Sequence, residues 1–172
     1  MTFGLAASLL AVSLFAAAMI YSAMQDVLTM TVSDRVVIAL LIGFPILAPL
    51  SGWTLEDIGW SVAVAMMTFF LGVAFFAAGW IGGGDGKLAT VTVLWVGADS
   101  ALDLVAYTTL LGGACAIGLL LFRTLTLSPA SQQTGWIARL HAPSTGIPYA
   151  VAIGLAALSV LPGTPWMGAL GG

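Results

Sequence analysis

The chain has 172 residues, of which 60% are hydrophobic and 6% charged, with a net charge of −3 at pH 7. Soluble domains carry about 25% charged residues, so the composition excludes an ordinary soluble globule and predicts an integral membrane protein. Four Lys and Arg residues make no nucleic-acid surface, and one cysteine, Cys115, excludes an internal disulfide and a multi-cysteine metal site.

Taken in order, the predicted elements are six apolar segments, at roughly 3–25, 35–50, 58–80, 86–98, 101–122 and 146–162. Spanning a bilayer takes about 20 apolar residues. The expectation is therefore an all-α, polytopic bundle of about six transmembrane helices, in a lipid bilayer. With no room left for a soluble domain, residues 1–172 are expected to form a single membrane-embedded unit. The first segment has no basic residue before Arg35, so it reads as a mature helix and not as a signal peptide. It ends on Asp26.

Pro49, Ser51 and Gly52 separate the second segment from Glu56 and Asp57, and Gly82, Gly83 and Gly84 separate the third from Asp85. The fourth is too short. Leu88 to Ala98 is eleven residues, about 16 Å at 1.5 Å per residue. The helix must begin within Gly84-Asp85-Gly86-Lys87, or the bilayer must thin there. Residues 123–145 form one polar loop, which holds His141, read as a solvated histidine. Pro148 interrupts the start of the sixth segment.

Alternating crossings put Arg35, Lys87, Arg123 and Arg139 on one side, and Glu56, Asp57, Asp99 and Asp103 on the other. The positive-inside rule makes the first side cytoplasmic, so the expected location is the cytoplasmic (inner) membrane. The same parity brings Asp26 and Asp85 to the cytoplasmic edge. Acids at membrane depth are functional candidates. The plainer readings are an interfacial charge for Asp26 and a helix N-cap for Asp85. An Asp at a helix C-terminus opposes the helix dipole, so the plain reading of Asp26 is uncomfortable. Gly82 and Gly84 offer close backbone approach and freedom at positive φ, which would shape a substrate-binding loop. Lys87 reads as an anchor at the membrane edge, or as a group that orients Asp85 or substrate. Asp34 reads as exposed beside Arg35.

Three stretches resemble the prepilin peptidases. Residues 26–35 are similar to the segment carrying that family's first aspartate, D-x5-I-P-N, with Ser33-Asp34 replacing Pro-Asn. Gly82-Gly83-Gly84-Asp85-Gly86-Lys87-Leu88 resembles G-x-G-D-x-K-L, the GxGD signature. Gly146-Ile147-Pro148-Tyr149-Ala150-Val151-Ala152 resembles the late G-[IV]-P-Y-[GA]-x-A segment. The closest likeness is to the short forms encoded with Tad (Flp) pili, which lack the methyltransferase region between the first helices. The resemblance implies a membrane aspartic endopeptidase that removes the leader from a pilin precursor. Asp26 and Asp85 would be its catalytic pair, with no metal or cofactor. Two other readings compete: a small ion- or proton-coupled transporter or channel subunit, and a non-catalytic pilus or secretion assembly factor.

The charge split generates a first prediction. Reporter fusions after Arg35, Lys87 and Arg139 should report cytoplasm, and fusions after Asp57 and Asp103 the outside. A Lys87 fusion reporting outside would break the pairing of Asp26 with Asp85.

Overall fold

The computed structural model describes residues 2–168 and is all-helical among them. The helices are α1 (Thr2–Thr29), α2 (Asp34–Leu50), α3 (Leu55–Ala77), α4 (Gly83–Val96), α5 (Ala101–Arg123), α6 (Pro129–Gln133), α7 (Gly135–His141), α8 (Tyr149–Val160) and α9 (Pro165–Gly168). Each of the six apolar segments overlaps one of the longer helices. The loop after α5 is not irregular throughout; it folds the short α6 and α7.

Local signals set the boundaries. The Ser33 hydroxyl accepts the Arg35 N–H at the start of α2. At the start of α3, Thr54 and Asp57 form a reciprocal capping box. Gly97, at φ +88, ends α4. That left-handed backbone suits glycine because it has no Cβ to clash.

Only three of these helices, α1, α3 and α5, are long and apolar enough to cross a membrane. At 1.5 Å per residue α2, α4 and α8 measure about 26, 21 and 18 Å, short of a core of about 30 Å. Packing gives the reason. The long α3 and α5 are the least buried of the candidate spans. The short α4 and α8 lie inside. Ala150, Ala152, Ala156 and Ala157 of α8 are fully buried, as are Leu88, Val91, Trp95 and Val96 of α4 to within about one per cent. Backbone that ends at membrane depth is tolerated where protein surrounds it. The fourth helix does begin before Leu88, and α4 starts at Gly83, one residue ahead of the expected Gly84–Lys87 range.

Aromatic side chains lock α1, α2, α4 and α9 together. Trp95 stacks on Phe15 (centroids 5.5 Å, planes 8° apart) and on Trp166 (5.0 Å, 24°). Its indole Nε1 donates to the Leu40 carbonyl at 3.0 Å, and Trp166 Nε1 donates to the Trp95 carbonyl. Both indoles are fully buried with their N–H groups satisfied, as burial requires.

The ends of the bundle differ in charge. At one end Lys87 meets Asp34, Arg139 meets the end of α1, and Arg123 meets the chain before α8. At the other, Asp57 and Asp99 line a small crevice with Trp53 and Pro165.

Two glycines carry helix crossings, and they differ in room. A Cβ on Gly154 of α8 would stand 3.1 Å from the Met19 carbonyl oxygen of α1, a backbone atom. A Cβ on Gly72 of α3 would make ordinary contact with Gly86 of α4, at 3.5 Å. Gly→Ala in a helix gains up to about 1 kcal/mol, whereas overpacking costs about 1–3 kcal/mol. Gly154→Ala should therefore lower thermal stability in detergent, and Gly72→Ala should leave it unchanged or raise it.

Candidate active site

Asp26 lies on the buried stripe of α1, in line with Ala11, Phe15, Met19 and Ser22, and is 5% exposed. Its Oδ2 accepts the Ala150 N–H at 3.0 Å. Ala150 is the second residue of α8, and Pro148, which precedes that helix, supplies no side-chain cap. The first N–H groups of a helix have no internal partners, and its N-terminus carries partial positive charge. Asp26 thus sits badly with respect to its own helix and well with respect to α8. The 146–152 stretch thus delivers an amide to Asp26.

The chain turns sharply after α1. Among the described residues Met30 is the one non-glycine with positive φ, at +56°, a conformation that costs energy outside glycine. Its N–H still donates to the Asp26 carbonyl at 2.7 Å. The turn sends Thr31 and Val32 back across the end of the bundle, beside the glycine run.

Asp85 stands in the first turn of α4 and is half-buried. Gly82, Gly83 and Gly84 lead into it with none at positive φ, so conformational freedom is not what they provide here. Space is. A Cβ on Gly82 would stand 3.0 Å from Asp85 Oδ2, and one on Gly84 would stand 3.1 Å from the Val32 Cβ. A Cβ on Gly83 would make only ordinary contact, 3.4 Å from the Phe76 ring. The two signature glycines are the ones without room, and the residue between them has it.

Asp26, Asp85, Gly82, Gly84 and Lys87 all border one cavity of about 330 Å³. Met30, Thr31, Val32, Asp34 and Gly83 complete the walls. Lys87 does not pair with Asp85; its Nζ donates to Asp34 Oδ1 at 2.8 Å, in an exposed ion pair. Asp34 is solvent-exposed, as read from the sequence, but it faces the cavity and its partner is Lys87, not Arg35.

Sequence reasoning took Arg123 and Arg139 only as markers of one membrane side, and the structure gives them more to do. Arg123 donates from Nε to the Leu140 carbonyl at 2.9 Å. Its Nη2 donates to the Thr145 and Gly146 carbonyls at 2.7 and 3.1 Å. The guanidinium therefore holds the segment that leads into Pro148 and Ala150. Arg139 Nη1 donates to the Leu28 carbonyl, two residues past Asp26. His141 Nε2 donates to the Leu125 carbonyl at 2.9 Å, which ties the loop to the end of α5. No sequence signal distinguishes these contacts from simple anchoring, because each joins a side chain to a distant backbone carbonyl.

A helical membrane protein that brings two acids from separate helices into one polar cavity has the parts of a membrane peptidase. The model of the type IV leader peptidase family matches residues 13–117, a stretch that contains both Asp26 and Asp85. The chain belongs to that family. No curated protein and no solved structure matches the chain significantly.

The glycine geometry generates the next prediction. Gly82→Ala and Gly84→Ala should each strongly reduce leader cleavage by membranes carrying the protein, while Gly83→Ala stays close to the parent. Equal loss at all three positions would show that the observed spacing of free room does not govern the site.

Proposed function

We propose that the chain is an aspartic endopeptidase that removes the leader from type IV-like pilin precursors. In this reading it is a single membrane-embedded unit whose cavity opens at the cytoplasmic face of the inner membrane. Asp26 and Asp85 are its catalytic pair. The observation that carries the proposal is that these two carboxylates, from the end of α1 and the start of α4, border one cavity.

The chemistry follows from the pair. Two adjacent carboxyls cannot both ionise cheaply, so they share a proton near neutral pH. The ionised member removes a proton from water as the water oxygen bonds to the scissile carbonyl carbon. The protonated member donates to the carbonyl oxygen as it takes up negative charge. Collapse of the tetrahedral intermediate breaks the C–N bond, and a proton passes to the leaving nitrogen. The Ala150 N–H stays on Asp26 Oδ2 and orients that carboxylate. The pair titrates as a unit, so neither residue is assigned as acid or base.

Placement at the cytoplasmic face is supported by the gathering of Lys87, Arg123 and Arg139 at the cavity end. A short chain without a methyltransferase region between α1 and α2 supports the Tad (Flp) branch, whose small pilins would be the substrates.

Asp26→Asn and Asp85→Asn should each abolish cleavage of a co-expressed small pilin precursor while the protein still accumulates in the membrane. An amide keeps the shape but cannot exchange the proton. The double variant should be scarcely worse than either single one, since residues acting as a unit are non-additive. Asp99→Asn and Asp103→Asn, at the other end of the bundle, should cleave normally. Cleavage by the parent should fall on both sides of a pH optimum. At low pH both carboxyls are protonated and the base is lost; at high pH both are ionised and the acid is lost. Near-normal cleavage by a well-expressed Asp26→Asn or Asp85→Asn protein would rule out the aspartic mechanism.

A further inference from the structure

Consecutive antiparallel helices usually pack on each other, but α2 and α3 do not. Both pack against α4 and make almost no contact between themselves, although only residues 51–54 join them. They stand as two walls over the floor made by α4. The result is an open, almost wholly apolar groove of about 660 Å³. Ile38, Leu41 and Pro45 face it from α2, Met66 and Phe69 from α3, and Leu94 from the floor. Ile38, Leu41, Met66 and Phe69 are each 41–53% exposed.

The groove is continuous with the cavity that holds Asp26 and Asp85. Asp34 and Lys87 border both, and their ion pair marks the junction. Along α2 the lining runs from Asp34 to Pro45, about 16 Å or three helical turns. The surface is thus polar at one end and apolar for three turns beyond. A chain that fits both parts has a polar segment followed directly by an apolar helix.

We propose that this groove receives the apolar helix of the precursor, with the α4 floor beneath it, so that the bond at the helix's polar end falls beside Asp26 and Asp85. This rests on the peptidase reading. It assigns substrate recognition to the faces of α2, α3 and α4, and leaves the exposed face of α5 to lipid. The alternative occupant is a phospholipid, with its headgroup at the ion pair and its tails in the groove.

Site-specific photocrosslinking separates these possibilities. A benzophenone amino acid is placed singly at Ile38, at Leu41, at Met66, or at the exposed Ile117 of α5, and the precursor is co-expressed in each case. Asp85→Asn is added for the crosslinking so that the precursor stays intact. The parent protein and the Ile117 variant without Asp85→Asn report, through cleavage, that the peptidase reading holds, and accumulation in the membrane reports that the groove variants are folded. Ile38 and Met66 lie on opposite walls and are half-exposed, so a large side chain at either meets little packed structure.

The expected result is a precursor adduct at Ile38 and Met66, several-fold above Ile117. Its sites in the precursor should lie within the apolar helix and farther from the cut for Leu41 than for Ile38. Cleavage by the parent with adducts only to lipid at Ile38 and Met66 would overturn the groove proposal and leave the peptidase intact. A precursor adduct at Ile117 alone would do the same. Absence of cleavage by the parent would remove the peptidase reading, and the groove proposal would fall with it.

Discussion

The hydrogen bond between the Ala150 N–H and Asp26 Oδ2 reconciles two features that are each unfavourable alone. An acid in the last turn of α1 opposes that helix's dipole, and the buried start of α8 lacks a side-chain cap. Brought together, the carboxylate satisfies an amide that water does not reach, and the α8 dipole favours the carboxylate's charge. The rest of the site is arranged around this contact. α1 and α8 pack closely at Gly154, and Arg123 holds the chain just before α8 from the end of α5. Arg139 holds the end of α1.

The second acid is placed by a different device. α4 is a short interior helix, fixed by Trp95 at its far end and by the Gly72–Gly86 approach at its near end. Its first turn carries Asp85 to the cavity. Because α4 is enclosed by other helices, its N-terminus can open at depth without exposing backbone to lipid. The polar cavity and the apolar groove both depend on α4, as its first turn borders one and its length floors the other. The Asp34–Lys87 pair between them is exposed, and such pairs contribute little to stability. Its position matters more than its energy.

Particular residues show how far the sequence could be read. The helical class, the six apolar segments and the family were legible, because hydropathy and charge are local properties and the motif spacing is linear. The early start of α4 was one of the two options its length left open. The number of spanning helices did not follow. α4 and α8 are apolar because protein surrounds much of them, and composition does not separate that environment from lipid. Asp34 and Lys87 were visible as charges, but their mutual contact crosses from α2 to α4. Arg123 looked like a membrane anchor because its partners are backbone carbonyls, which leave no trace in residue type.

By itself, then, the sequence determined that this is a helical membrane protein, where its acids lie along the helices, and that Asp26 and Asp85 reach the same end. These follow from runs of apolar residues, which must be helical in lipid to satisfy their backbone, and from a chain that returns to the same end after two successive apolar segments. Only the tertiary structure decided that the carboxylates share one cavity and that the late proline stretch supplies the amide on Asp26. The same holds for the room at Gly82 and Gly84 and for the gap that α2 and α3 leave between them. Each of these depends on the approach of helices distant in the chain, and that approach is set by packing between side chains whose pairing no single segment encodes.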